Sequence, residues 1–189
     1  AVVYTHGHAD HVLGFDDLRR FCEMENRAMP LYGSKETLET LSRIFFYAFN
    51  GENRFKGYVH PDPKVVEKAF ELGGLIFHPL EVPHGKTLTW GYRIDEKGIP
   101  KVAYFSDGKT LPESVQKEIQ NIPILILDGL RLTPHPTHLS LPEAVEISQQ
   151  VKAQKAYFTH LAHAIKHAAI EPTLPKNRFL AYDGLQLEI

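Results

Sequence analysis

Apolar and polar positions recur along this chain with two periods, and the changes of period mark out its elements. Ala1-Val2-Val3-Tyr4 is an apolar run that predicts a buried strand leading into Thr5-His6. From Asp10 to Glu25 the apolar positions Val12, Leu13, Leu18, Phe21 and Cys22 keep helical spacing, with acidic residues near the start where the helix dipole favours them. A polar cluster therefore sits at a strand-to-helix junction. Pro30-Leu31-Tyr32 predicts a short strand, and Ser34 predicts the cap of a helix running to about Ala48. Phe49 to Pro63 is aromatic, contains glycine and keeps neither period, so it reads as a loop or lid.

Beyond it, β character dominates at Leu75-Val82, Thr87-Ile94 and Val102-Phe105, the last running into Ser106-Asp107-Gly108. Pro112 to Gln120 predicts a short helix with Pro in its first turn. Ile122 to Leu127 is an almost continuous apolar run closing on Asp128-Gly129, the pattern of a strand buried on both faces. A polar loop with His135 and His138 precedes a helix from about Leu141 to Val151 and a strand at Ala156-Thr159 that ends on His160. Phe179 to Leu187 reads as a hairpin around Asp183-Gly184. Strands alternate with helices, and polar residues recur just past strand ends. This predicts an α/β fold with its site assembled on one rim.

A length of 189 residues suits one domain spanning 1–189. Twenty-one Lys and Arg against 23 Asp and Glu leave a net charge of -2, which gives no broad cationic field for nucleic acid. No apolar run reaches the roughly 18 to 20 residues of a bilayer span, so no membrane partner is expected. Cys22 is the one cysteine, which excludes an intrachain disulfide and predicts a cytoplasmic protein.

Eleven histidines alter this plain picture, because several are spaced as ligands. Thr5-His6-Gly7-His8-Ala9-Asp10-His11 packs three imidazoles and a carboxylate into six positions. In an extended turn His6 and His8 point to one side, while Asp10 and His11 fall on the first helical turn. Nitrogen and oxygen donors without thiolate suit Zn, Mn or Fe, and four such residues crowd a single tetrahedral ion, so two ions are expected.

The motif resembles the metallo-β-lactamase superfamily. The resemblance extends, in order, to His84 in Val82-Pro83-His84-Gly85, Asp107 in Ser106-Asp107-Gly108 and His160 in Phe158-Thr159-His160. It implies that His6, His8 and His84 hold one metal, that Asp10, His11 and His160 hold the other, and that Asp107 joins them. His163 is an alternative to His160, whereas His60, His78 and His167 read as structural or surface residues. Members normally carry several strands before the motif, whereas here the run Ala1-Val2-Val3-Tyr4 alone precedes it. The expectation is therefore an αββα sandwich without its N-terminal strands, which a missing segment or another chain would supply.

A narrower resemblance lies in Asp16-Asp17-Leu18-Arg19, His135-Pro136-Thr137-His138-Leu139-Ser140 and Leu180-Ala181-Tyr182-Asp183-Gly184-Leu185. These look like the phosphoribosyl 1,2-cyclic phosphate phosphodiesterase (PhnP-like) branch. It implies catalytic roles for Asp10, Asp128 and His138, the last two as a dyad in which His138 protonates the leaving oxygen. The competing role for His138 is a bond within its own loop. The expected activity is hydrolysis of a small phosphodiester, cyclic ones included. Alternatives are an ester, thioester or lactam hydrolase, a tRNA 3′-processing nuclease, and a non-catalytic metal-binding module. Ile44-Phe45-Phe46-Tyr47-Ala48-Phe49 either packs in the core, roofs a pocket or offers a partner surface, as in a homodimer. Asp183 reads as a turn residue, the alternative being a bond that supports the site's ligands.

Overall fold

In the computed structural model, which describes residues 1–51 and 57–189, the chain divides into two units, Ala1–Glu67 and Lys68–Ile189. The loop or lid expected between Phe49 and Pro63 lies partly, at 52–56, outside the described residues.

In the first unit the opening apolar run forms only a two-residue strand, β1 (Val2–Val3), although Tyr4 beyond it is buried. The helical pattern after it is not one helix. A single turn, α1 (Ala9–Val12), passes through a 3-10 stretch at Leu13–Leu18 into α2 (Arg19–Glu25). The tighter winding carries Phe15 into the core, where it stacks on Phe45 at 4.5 Å and Phe49 at 5.7 Å. Next come β2 (Met29–Gly33), α3 (Lys35–Ile44), α4 (Phe46–Phe49) and β3 (Pro61–Val65). Ser34 caps α3 as predicted, its Oγ accepting from the Thr37 amide at 3.1 Å. The helix predicted to reach Ala48 breaks at Phe45, whose backbone leaves the helical region while its ring stays buried. The three strands are parallel in the order β1-β2-β3, so β3 is an edge strand, where the missing amides of Pro61 and Pro63 are tolerated.

The second unit is built on a seven-stranded sheet. Its strands are β4 (Phe70–Leu72), β5 (Leu75–His84), β6 (Thr87–Glu96), β7 (Ile99–Phe105), β8 (Ile124–Asp128), β9 (Lys155–Thr159) and β10 (Arg178–Leu180), in the order β10-β9-β8-β7-β6-β5-β4. Strands β4 to β7 are antiparallel neighbours and β7 to β10 run parallel. The period of two is visible in what they bury: Ala103 and Phe105, Leu125 and Leu127, Ala156 and Phe158 share a core with α5 (Glu113–Glu118) and α6 (Leu141–Gln150). Each large apolar side chain sealed there contributes about 1.5–3 kcal/mol. Gly91 in β6 is required by that packing, since a Cβ would lie 2.0 Å from the Phe105 ring and 2.8 Å from the Tyr104 carbonyl.

The hairpin expected at Phe179 to Leu187 does not form. Leu180 pairs in parallel with Phe158 of β9, and the chain then turns, with Leu185 N–H donating to the Tyr182 carbonyl, without a returning strand. The α/β class itself is as predicted. Among the described residues no helix is long and apolar enough to cross a membrane.

Candidate active site

In the first unit the four donor residues of the opening motif fall where β1 gives way to α1. His6 is buried at 4 % exposure, and its ring lies 4.5 Å from that of His8 and 4.2 Å from that of His11, centroid to centroid. Thr5 Oγ1 is 3.1 Å from His6 Nδ1, so a cation would be held through Nε2. Asp10 lies in the first turn of α1, with its Oδ2 3.4 Å from His11 Nε2. Gly7 leaves room for Thr40, whose Cγ2 would stand 3.0 Å from an added Cβ.

In the second unit the candidate residues sit at strand ends. His84 closes β5, and its Nδ1 donates to the Thr137 carbonyl at 2.9 Å, which again presents Nε2. Gly85, at φ +64°, makes the turn into β6, where a Cβ would meet Thr137 Cγ2 at 2.7 Å. Asp107 lies just past β7 and is 2 % exposed, its carbonyl fixed by the Thr89 hydroxyl at 2.7 Å. Asp128 is the last residue of β8 and is fully buried. His160 lies just past β9 in a left-handed conformation, φ 59°, with Nε2 3.7 Å from Asp107 and Nδ1 3.9 Å from Asp128.

His138 completes this group. Its Nδ1 is 2.8 Å from Asp128 Oδ2, and its ring stacks on His160 at 5.1 Å and meets His84 edge-on at 4.6 Å. Burial pushes the Asp128 carboxyl up to about 8, with the Asp107 charge adding to the rise, and burial draws the His138 imidazole down to about 4. Both shifts have one meaning. Separated charges are disfavoured there, so the pair keeps one proton between Oδ2 and Nδ1. A bound cation would counter the rise at Asp128 by stabilising its carboxylate.

His84, Asp107 and His138 each offer a ligand atom with all three within 4.8 Å of one another, and so do Asp128, His138 and His160. Imidazole nitrogen and carboxylate oxygen without thiolate is a donor chemistry that fits a divalent cation, Cys22 being buried in the first unit's core. Among the remaining histidines, His135 lies beside His138 with the two ring centroids 5.1 Å apart, while His78, His163 and His167 belong to none of these groups. His78 lies 3.0 Å from Asp95, which is also gripped by Arg93. His167 lies 3.3 Å from the Leu180 carbonyl, His60 gives its carbonyl to the Met29 amide, and His163 is exposed.

The loop that carries His138 is held by residues that the metal motif does not single out. Lys109 Nζ donates to Glu143 at 2.7 Å and reaches the His138 carbonyl at 3.4 Å. Glu143 also accepts from the Ser140 amide and hydroxyl, each at 2.7 Å, closing a capping box at the start of α6. Burial would raise the Glu143 carboxyl, but the bonds from Lys109 and Ser140 outweigh it and hold it at about 2. The signal is present in the chain as Ser140-x-x-Glu143 with Pro142 between them.

Known proteins place this arrangement in context. The family profile described as a β-lactamase superfamily domain matches residues 1–161. A solved structure described as a new diphosphatase from the PhnP family is 38% identical, with a TM-score of 0.87 over 99% of this chain and 70% of that one. The metallo-β-lactamase fold protein YhfI from Bacillus subtilis is 18% identical and shares the fold, with a TM-score of 0.78 over 97% of this chain and 74% of that one. An octanoyltransferase of Porphyromonas gingivalis is 29% identical over 98% of this chain. The chain spans only 37% of the length of that curated relative.

Proposed function

The chain belongs to the metallo-β-lactamase superfamily, whose members are metal-dependent hydrolases, and from that premise we propose that it hydrolyses a small phosphodiester, cyclic ones included. The ligands we assign are His6, His8, Asp10 and His11 of the first unit and His84, Asp107 and His160 of the second, for two divalent ions, Zn or Mn. When bound, such ions supply Lewis acidity for the developing oxyanions and lower the pKa of a water.

The observation that carries the phosphodiester reading is the Asp128–His138 contact at 2.8 Å, beside Asp107 and His160. Because Nδ1 faces Asp128, the ring presents Nε2 to the substrate side. A proton held at Nε2 is placed to pass to a departing alkoxide, and the proton shared with Asp128 then stays on Nδ1, so the ring ends neutral and the negative charge rests on the Asp128 carboxylate. Phosphodiester cleavage needs that proton because an alkoxide is a poor leaving group. The relative described as a diphosphatase, at 38% identity, supports phosphorus rather than carbon as the electrophile.

A second reading, hydrolysis of an acyl ester or thioester, draws on the octanoyltransferase relative. The two are separated by assaying bis-p-nitrophenyl phosphate beside p-nitrophenyl acyl esters, with Mn and with Zn. Turnover of the phosphodiester at least tenfold above the esters is expected. The reverse order would transfer the assignment to acyl chemistry.

A further inference from the structure

Thr137 ties two imidazoles of the second unit to the loop that carries a third. Its carbonyl accepts from His84 Nδ1 at 2.9 Å, its amide donates to His135 Nδ1 at 3.3 Å, and its hydroxyl lies 3.2 Å from that same nitrogen. The next residue is His138, whose ring centroid stands 5.1 Å from that of His135. The absence of a side chain at Gly85 makes this placement possible, because a Cβ there would lie 2.7 Å from Thr137 Cγ2. His84 and His138 both have roles in the reaction proposed above, and His135 has none.

We infer that His135 is a further substrate-binding residue of this centre, its Nε2–H donating to an anionic phosphoryl oxygen while His138 serves the leaving group. The inference rests on the phosphodiesterase reading and assigns part of the grip on the phosphoryl group. The tautomer is the first support. A backbone amide can only donate, so Nδ1 of His135 must accept, and the neutral ring then carries its proton on Nε2. Among the described residues that nitrogen has no partner. A donor held in a fixed orientation beside the acid, with nothing of the protein to donate to, is what a bound oxyanion needs.

The charges around the ring are the second support. Burial lowers the His135 imidazole below its ordinary value, and the Arg131 and Lys109 charges add to the effect, so the ring stays a neutral donor among cations. Lys109 shares its charge with Glu143 at 2.7 Å, but Arg131 has no carboxylate partner among the described residues. Its guanidinium instead donates to the Thr133 carbonyl at 3.1 Å and the Pro134 carbonyl at 2.5 Å, which braces the loop just before His135 and leaves a positive charge there for an anion.

The test separates the distal nitrogen from the bond that shapes the loop. His135→Asn keeps an acceptor for the Thr137 amide, as an Asn oxygen does in an Asx turn, and has no donor where Nε2 stood. His135→Gln extends an amide N–H towards that position. On the metal-loaded chain His135→Asn should lower kcat/KM for bis-p-nitrophenyl phosphate by about tenfold to a hundredfold, the value of a hydrogen bond to a charged group. His135→Gln should recover most of the loss. The fall should be the same for a diester with an alkoxide leaving group, since the phosphoryl oxygens are common to both. Melting temperature and bound metal should match the wild type.

A kcat/KM within about twofold of the wild type in His135→Asn overturns the inference, and so do equal losses in the two variants or a loss accompanied by a lower melting temperature or less metal. A fall confined to the alkoxide diester also overturns it, because His135 would then be a proton donor. If the wild type cleaves no phosphodiester, the phosphodiesterase reading fails, and His135 is read instead from calorimetric binding of inorganic phosphate to the metal-loaded chain. Binding about tenfold weaker in His135→Asn and recovered in His135→Gln supports the contact. Equal binding in wild type and His135→Asn, or none in the wild type, overturns it.

Discussion

His138 Nδ1 lies 2.8 Å from Asp128, and Asp128 in turn accepts the Gly108 amide at 3.2 Å through the same oxygen. The carboxylate is fixed by the backbone that carries Asp107, so the imidazole is aimed from a buried anchor. A ring fixed in this way has one face for chemistry, and the proposed acid role uses it.

His138→Ala should lower kcat on a phosphodiester with an alkoxide leaving group, such as the cyclic phosphate of a vicinal diol, by about 10² to 10⁴, the usual value of a positioned general acid, and much less on bis-p-nitrophenyl phosphate, whose nitrophenolate departs without a proton. Bound metal, measured by elemental analysis of the same samples, should be unchanged because His138 is not among the proposed ligands. Turnover of the alkoxide diester at the wild-type level would remove the acid role, and loss of metal would make His138 a ligand.

Glu143 predicts an acid-limb effect. Its carboxyl is held at about 2 in the folded chain against an ordinary value of 4.5, so the charged form is the one that folding favours. The stabilisation is therefore fully present above about pH 4.5 and is lost as the pH falls towards 2. Because the side chain is 36% exposed, the effect is modest. Glu143→Gln should lower the melting temperature at pH 7 and flatten its decline below pH 4.5 relative to the wild type. Parallel melting curves across this range would contradict the Lys109–Glu143 clamp.

Gly91→Ala should destabilise the chain by about 3 kcal/mol, the upper end for overpacking, since both a ring and a backbone carbonyl stand in the way of the new methyl. Urea unfolding gives the value directly. A change below about 0.5 kcal/mol would mean that Phe105 can move aside at little cost.

Much of the fold is legible in the chain. The β5, β6 and β8 patterns give their strands within a few residues because their alternation or apolar continuity is strong, and the histidine motif stands out because its spacing is rare. The short edge strands β3 and β4 are not legible, since Pro61-Asp62-Pro63 carries turn residues and only the neighbouring strand makes it extended. A single helix across Asp10 to Glu25 is the wrong expectation because the spacing of its apolar positions is also met by two short helices joined through a 3-10 stretch. At the tail, Asp183-Gly184 signals a turn but does not specify a returning strand. The partner of β10 is β9, well back in the chain, and no local signal encodes that pairing.

The central claim, that this chain is a metal-dependent phosphodiesterase, is tested most directly by bis-p-nitrophenyl phosphate turnover before chelation, after removal of bound metal, and after restoring Mn or Zn. Activity should fall by at least a hundredfold on chelation and return with about two equivalents of either ion. Turnover that survives in a chain shown by elemental analysis to be metal-free would contradict it.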